Sequence, residues 1–130
     1  MAKFWPSSAA KIAEAETARR MNSLPKIVFS KYPADTNWKN VKSYKDGVSK
    51  VICSLELKPG KNIAVLGSSN LSLTLIKEGL LDEVRLMVNP LMLGSGTILF
   101  ESLKSHCELK LTGSTIFGSG NVLLTYDVVQ

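Results

Sequence analysis

The sequence predicts one α/β domain, with a mixed sheet flanked by helices and an antiparallel hairpin at its C-terminal end. Over the first two thirds of the chain, short apolar runs alternate with segments of helical periodicity, as in α/β proteins. In the last third, alternating apolar and polar side chains indicate antiparallel strands. A length of 130 residues suits a single domain over residues 1–130, and 45% hydrophobic with 21% charged residues is typical of globular proteins.

The N-terminal half contains a helix, a strand, a loop and a second helix. After a Pro-Ser-Ser start, small and apolar residues recur every three or four positions, which predicts a helix over residues 8–22. The apolar run at residues 26–30 predicts a short buried strand. Residues 32–40 are rich in turn formers and predict a loop. Helical spacing returns over residues 45–57, until Pro59-Gly60 ends it.

The middle of the chain predicts a strand, a turn, a helix and another strand. Residues 62–66 form a second apolar run, read as a buried strand, and Gly67 then turns the chain into a helix over residues 69–78. Gly79 stands where a C-terminal cap is expected. Residues 84–89 alternate apolar and polar side chains, as in a strand with one face toward the core.

The last third predicts a terminal hairpin. Residues 109–117 and 122–128 alternate in the manner of strands on either side of Gly118-Ser119-Gly120-Asn121. No internal repeat or linker divides the chain. The predicted order is therefore α, β, α, β, α, β, followed by β-strands.

The net charge of +5 does not single out a nucleic-acid partner. Aromatic residues make up only 7% of the chain and the basic residues are dispersed, so a solvated basic surface, which also suits an anionic cofactor, is favoured. Examples of these charges are Lys39, Lys42, Lys45 and Lys50. No apolar run reaches the roughly 18 residues of a membrane span and no signal-peptide core is evident, so a soluble cytoplasmic protein is expected.

The corner at Gly67-Ser68-Ser69 is the strongest candidate for a binding site. A helix that begins directly after a strand directs free backbone N–H groups and the positive end of its dipole at the corner, where an anion is favoured. Gly67 allows close approach of a pyrophosphate to the backbone, and Ser68 or Ser69 can cap the helix or donate a hydroxyl hydrogen bond. Many turns use Gly and Ser only to turn and cap, so spacing alone leaves both interpretations open.

Other candidate residues favour structural roles. Cys53 and Cys107 lie far apart and lack zinc-site spacing, so free thiols are expected, with a disulfide as the alternative. Asp82-Glu83 is either an acid pair or a structural dipeptide. The sole histidine, His106, is expected in a surface loop. Trp38 either packs over the cofactor loop or anchors it.

Several stretches in chain order carry the pattern of one known family. The longest are VLGSSNL at 65–71, LIKEGLLDEVRL at 75–86, PLMLGSG at 90–96 and GNVLLTY at 120–126, with a further match at PKIVFSK, 25–31. The chain thereby resembles the C-terminal reductase domain of the bacterial bifunctional riboflavin-biosynthesis deaminase-reductase, and especially its stand-alone dihydrofolate-reductase-like relatives. The resemblance covers essentially the whole chain.

The resemblance implies a dihydrofolate-reductase-like sheet that binds NADPH, in a homodimeric enzyme similar to 5-amino-6-(5-phosphoribosylamino)uracil reductase. Its small-molecule substrate would be a pyrimidine- or pterin-like heterocycle. Four residues match the glycine-rich turn that holds the cofactor's pyrophosphate: Gly67, Ser68, Ser69 and Leu71. Ser30 and Lys31 match the positions that hold the adenosine 2′-phosphate, where the family usually has arginine second. Lysine keeps the positive charge but lacks the guanidinium group that forms two hydrogen bonds to one phosphate, which weakens the expected preference for NADPH over NADH.

One part of the family pattern is not matched. Members normally have a further section before Trp5-Pro6, including a central first strand and residues facing the nicotinamide and substrate, so the resemblance implies an N-terminally truncated fold. Because unpaired buried backbone is costly, we expect strands 62–66 and 84–89 to pair directly in parallel, or a second chain to fill the gap. The alternative function is a non-catalytic relative that binds nucleotide or only oligomerises.

Overall fold

The computed structural model describes residues 1–32, 38–101, 103 and 106–129. The chain divides into two compact units, Met1–Val48 and Ser49–Gln130, so that a single domain over residues 1–130 stays a prediction. The helices and strands in the described ranges are, in chain order, α1 (Ser8–Ala13), α2 (Ala15–Ser23), β1 (Lys26–Phe29), β2 (Val41–Tyr44), α3 (Val48–Glu56), α4 (Ser69–Lys77), β3 (Glu83–Val88), β4 (Leu109–Ile116) and β5 (Val122–Val128). None of these helices is long and apolar enough to cross a membrane.

The first unit begins with two short helices where the sequence predicts one over residues 8–22. The helix breaks at Glu14, whose φ of −140° and ψ of 58° lie outside the helical region. The Glu14 N–H still donates to the carbonyl of Ala10, and its carbonyl accepts from Ala18, so the helix restarts at once. Ala10 and Ala18 are the buried residues of α1 and α2, and their small side chains let the two helices pack closely.

The first unit also contains a two-stranded parallel sheet. Strand β1 confirms the prediction for residues 26–30, although its side chains are half-buried and not fully buried. Strand β2 was not predicted, because only its first and last residues, Val41 and Tyr44, are half-buried and the two between them are polar and exposed. The strands run in parallel, with Lys26 opposite Val41 and Phe29 opposite Tyr44.

Helix α3 confirms the helix predicted over residues 45–57, and α4 confirms the helix predicted over residues 69–78. Both are slightly shorter than predicted. Their buried side chains are Ile52, Leu73 and Leu75. Helix α4 ends at the predicted cap. Gly79 has a φ of 64°, its N–H donates to the Ile76 carbonyl at 3.1 Å, and the Leu80 N–H donates to the Leu75 carbonyl at 2.8 Å. This pair of bonds is the Schellman motif, which satisfies carbonyls that the helix leaves open.

A three-stranded antiparallel sheet forms the rest of the second unit. Its strand order is β3-β5-β4, with Leu86 opposite Leu124 and Leu111 opposite Tyr126. The predicted terminal hairpin is therefore confirmed, and β5 lies in the middle of the sheet. The α/β class is confirmed as well, with parallel pairing in one sheet and antiparallel pairing in the other.

The predicted strand over residues 62–66 is wrong. Within the described ranges, residues 61–66 belong to no strand, and the side chains of Ile63 and Leu66 are 47% and 54% exposed. Direct pairing of this segment with β3 is therefore wrong too, and β5 is the only described partner of β3. An apolar run favours extended backbone, but a strand forms only where a neighbour accepts its hydrogen bonds. That a second chain supplies the neighbour stays a prediction.

Replacing Gly79 with alanine is expected to destabilise the protein by about 1 kcal/mol. An alanine Cβ meets no described atom within 4 Å, so the cost comes from the left-handed φ of 64° alone. Asparagine tolerates this conformation better, so Gly79→Asn should lose less. Urea unfolding measured by circular dichroism checks both. The control is Gly118→Ala, where the added Cβ is equally unhindered and φ is not left-handed. Equal losses at the two positions would contradict the capping role.

Candidate functional site

The corner before α4 presents unused backbone donors. Gly67 has a φ of 63°, and Ser68 follows in extended conformation as the N-cap residue. The first intrahelical bond runs from the Ser72 N–H to the Ser68 carbonyl at 3.0 Å, so the N–H groups of residues 69–71 have no acceptor within the helix. The first turn of α4 carries no acidic side chain. An anion at this corner thus meets open donors and the positive end of a dipole without repulsion.

The Ser68 side chain occupies the N-cap position without capping. It makes no hydrogen bond to the helix, so the capping role considered for this serine is not observed. Gly67 and Ser68 are exposed, whereas Ser69 and Leu71 are half-buried. These four predicted site residues lie together in one turn because they are neighbours in sequence. The strand predicted to lead into the turn is absent, so α4 alone positions the corner.

Ser30 and Lys31 lie at the carboxyl end of β1, in the first unit. The Ser30 N–H donates to the Tyr44 carbonyl at 2.9 Å, and its Oγ accepts from the Tyr32 N–H at 3.2 Å. These bonds hold the serine half-buried and leave its hydroxyl proton available to a ligand. Lys31 is exposed and forms no ion pair within the described ranges. A hydroxyl beside an ammonium group is a donor set suited to a phosphate.

A side-chain network that sequence reasoning did not find anchors Trp38. Its indole Nε1–H donates to Asn22 Oδ1 at 2.7 Å, and the Asn22 amide donates in turn to the Trp5 carbonyl at 2.9 Å. The Lys26 ammonium lies 4.7 Å from the centre of the Trp38 ring, a cation–π contact. The indole is thus held by Asn22 and Lys26, and the two roles considered for Trp38 at the cofactor loop stay predictions. The two hydrogen bonds of the network join residues 16 and 17 positions apart, which periodicity does not reveal.

The same lysine caps the C-terminal end of α2. Lys26 Nζ donates to three carbonyls, those of Met21 at 2.9 Å, Asn22 at 3.3 Å and Leu24 at 2.6 Å. The Asn40 amide adds a bond to the Ser23 carbonyl at 3.0 Å. Burial lowers the pKa of the Lys26 ammonium below its ordinary value. A cation at this end of a helix also opposes the negative end of the dipole.

Three basic residues that the sequence presents as dispersed come together in the first unit. Lys11, Arg19 and Lys39 line one open cleft, which we name the basic cleft; Ala15, Asn22, Ser23 and Asn40 complete its lining. The signal for part of it is visible in the sequence, since positions 11, 15 and 19 repeat every four residues, as on one side of a helix. The contribution of Lys39, which follows β1 in the chain, is not visible in the sequence.

The remaining candidates have structural environments. The Asp82 carbonyl accepts the Val128 N–H at 2.8 Å, and Glu83 forms an exposed ion pair with Arg85 at 2.6 Å. His106 is exposed and outside helices and strands, as predicted. Both cysteines are free thiols, Cys53 exposed and Cys107 half-buried.

The family model described as RibD C-terminal domain matches residues 1–123. The chain belongs to this family. The resemblance inferred from the sequence motifs is therefore confirmed. The RibD C-terminal domain match spans both units of the structure, and it includes the Gly67 corner, the Ser30-Lys31 turn and the basic cleft.

Similar proteins agree with this assignment. The "Uncharacterized protein YyaP" of Bacillus subtilis (strain 168) is 33% identical over 113 residues, which are 87% of this chain and 60% of that protein. The "Uncharacterized protein YwjB" of the same organism is 32% identical over 91 residues, 70% of this chain and 52% of that protein. The chain thus spans little more than half the length of these curated relatives.

A solved structure shows the same fold. The crystal structure of a "Putative riboflavin biosynthesis protein" from Shewanella sp. PV-4 aligns with a TM-score of 0.69 at 24% identity. The alignment covers 83% of this chain and 62% of that one. The predicted reductase-like fold class is therefore confirmed.

Replacing Asn22 with alanine is expected to lower the free energy of unfolding by about 1–3 kcal/mol, because the Trp38 indole N–H and the Trp5 carbonyl both lose a partner. Trp38 emission should change in the folded state. Urea unfolding followed by tryptophan fluorescence measures both effects. The control is Ser23→Ala at the next position, which removes one exposed hydroxyl bond to the Arg20 carbonyl and should cost about 0.5 kcal/mol or less. A similar loss in both variants would contradict the anchoring role.

Proposed function

We propose that this member of the RibD C-terminal domain family is an NADPH-dependent reductase of the riboflavin-biosynthesis type. Its substrate is a small pyrimidine- or pterin-like heterocycle. The single observation that carries the proposal is the Gly67-Ser68-Ser69 corner, an open helix N-terminus in a chain of a family whose solved neighbour is described as a riboflavin biosynthesis protein.

The corner fits the pyrophosphate of the cofactor. Gly67 adopts a positive φ and has no Cβ to obstruct the approach of the phosphates. The uncapped start of α4 offers the N–H groups of residues 69–71 to phosphate oxygens. The Ser68 hydroxyl, which makes no bond to the helix, is free to donate as well. Leu71, half-buried in the first turn, gives the apolar contact beside the phosphates. This part of the site binds mainly through the backbone.

Ser30 and Lys31 fit the adenosine 2′-phosphate. The Ser30 hydroxyl keeps a proton to donate, and the exposed Lys31 ammonium supplies charge. Lysine recognises phosphate as a point charge, without the paired hydrogen bonds of arginine, so discrimination against NADH is moderate.

The cofactor supplies the hydride, and the protein supplies binding and orientation. The Gly67 corner fixes the phosphates, and the Ser30-Lys31 turn selects the phosphorylated form. Substrate-binding and proton-donating side chains are not assigned.

A second candidate is nucleotide binding without catalysis. One observation favours it: residues 61–66 form no strand in front of the corner. Rapid turnover requires a cofactor held in a fixed orientation. A corner positioned by one helix is less constrained than a corner held between a strand and a helix. Binding and turnover must therefore be measured separately.

NADPH is expected to bind saturably, and two substitutions should separate its two phosphate contacts. Gly67→Val introduces a strained, branched side chain at the corner and should weaken NADPH and NADH about tenfold or more. Lys31→Gln should weaken NADPH about three- to tenfold and leave NADH unchanged. Calorimetric titration, supported by the fluorescence of Trp5 and Trp38, measures these affinities.

The control for Lys31 is Lys45→Gln, another exposed lysine of the first unit, which should leave both affinities unchanged. Absence of a saturable response, or equal losses for NADPH and NADH in Lys31→Gln, would overturn the assignment of these residues. Oxidation of NADPH with pyrimidine and pterin substrates then distinguishes a reductase from a nucleotide-binding relative.

We also propose that the chain works as a homodimer. Support comes from the segment of residues 91–99 after β3, which exposes a run of large apolar side chains: Leu91, Met92, Leu93, Ile98 and Leu99. Soluble monomers rarely expose such a concentration of apolar groups, and a second copy is the partner that the family resemblance implies.

Met92→Glu is expected to shift the chain from dimer to monomer, because it places a charge in the apolar segment of residues 91–99 that the second copy covers in the proposed dimer. Met92 is fully exposed, so the fold itself should be unaffected. Sedimentation equilibrium over a range of concentrations measures the change. The control is Leu57→Glu, at an 88% exposed position outside the segment. A parent protein that remains monomeric at all concentrations would contradict the proposal.

A further inference from the structure

The basic cleft is a concentration of anion-binding groups within the first unit. It is an open cleft of about 500 Å³ whose lining residues all lie in the first unit. This volume lies in the range of roughly 300–1,000 Å³ that is common for ligand sites, and the cleft is wide open to solvent. Ala15 carries nothing beyond Cβ, which leaves space between the cations of the lining. The inference does not rest on the proposed reductase function.

The charge of the cleft is uncompensated. Lys11, Arg19 and Lys39 contribute three cations, and none of them forms an ion pair with a residue that the structure describes. The described lining contains no acid. Glu16, in the first turn of α2, is already paired with Arg20 at 2.6 Å. A concave surface lined by one sign of charge concentrates counter-ions of the opposite sign.

The position of the cleft near the C-terminal end of α2 would normally disfavour an anion, since carbonyls and the negative end of the dipole face outward there. Here those carbonyls are already engaged. The Lys26 ammonium binds the carbonyls of Met21, Asn22 and Leu24, and Asn40 binds that of Ser23. The cation at Lys26 also offsets the dipole. The repulsion that an anion would meet at a bare helix end is therefore reduced.

The wall of the cleft is held in place by hydrogen bonds. Asn22 bridges the Trp38 indole and the Trp5 carbonyl, and Asn40, with a left-handed φ of 61°, accepts the Lys26 N–H at 2.7 Å. Lys39 lies between Trp38 and Asn40, so its backbone is fixed on both sides. A bound ligand thus need order only the long side chains of the three cations.

We propose that the basic cleft binds a small oligophosphate, such as pyrophosphate or the polyphosphate of a free nucleotide. Three cations match an anion of several charges better than a single carboxylate. The Arg19 guanidinium can engage two oxygens of one phosphate, while Lys11 and Lys39 act as point charges on the others.

Titration of the full-length chain with inorganic pyrophosphate tests the proposal. Amide and indole resonances followed by NMR at constant ionic strength should show saturable shifts at Ala15, Asn40 and the Trp38 indole. Arg19→Gln and Lys39→Gln should each weaken this response about three- to tenfold, and the triple variant with Lys11→Gln should abolish it. Ala15→Leu, which keeps all charges but fills the space, should weaken it as well.

The controls separate this site from the Gly67 corner and from unspecific charge. Lys45→Gln should leave the response unchanged, and Gly67→Val should remove shifts at Ser69 and Leu71 without affecting those at Ala15. If pyrophosphate shifts Ala15 but produces no response at Ser69 or Leu71 in the unsubstituted chain, the proposed cofactor turn is refuted and the basic cleft is not. Shifts at Ala15 that do not saturate, that sulfate reproduces at equal ionic strength, or that only a single-stranded oligonucleotide produces would overturn the oligophosphate assignment.

Discussion

In the part of the chain that the structure describes, extended backbone forms a strand only where a neighbouring strand takes up its hydrogen bonds. Strand β5 satisfies this condition on both edges, and β3 and β4 form against it. The apolar segment at residues 61–66 has the composition of a strand but no described neighbour, and it stays irregular. Burial of apolar side chains alone does not overcome the cost of unpaired backbone donors and acceptors. This constraint decides which predicted strands exist.

The same constraint affects the chemistry. The Gly67 corner follows the irregular segment, so its geometry comes from its own φ and from α4, with the Schellman motif at Gly79 closing the other end of that helix. A site built from backbone N–H groups does not require a preceding strand, because those donors belong to the helix itself. Precise orientation of a bound cofactor demands more support than such a corner gives alone.

In the first unit, side-chain hydrogen bonds add to the pairing of β1 with β2. Lys26 and Asn40 bind the last carbonyls of α2, and Asn22 ties Trp38 to Trp5. These contacts connect the helix end to both strands of the parallel pair. They also determine the electrostatics, since a helix end whose carbonyls are engaged can stand beside an anion that a bare end would repel. The two candidate anion sites therefore rest on different physics, backbone donors at the corner and side-chain cations in the basic cleft.

The sequence by itself determined the features that depend on local patterns. These are the helices, the glycine cap, the terminal hairpin, the Gly-Ser-Ser corner and, through its motifs, membership in the RibD C-terminal domain family. Each depends on residues close in sequence or on a motif read directly from it. Tertiary structure alone decided strand β2, the absence of a strand at residues 61–66, the Asn22 network and the meeting of Lys39 with Lys11 and Arg19. Each of these depends on whether distant segments become neighbours, and only a neighbour can accept a strand's hydrogen bonds or combine scattered charges into one cleft.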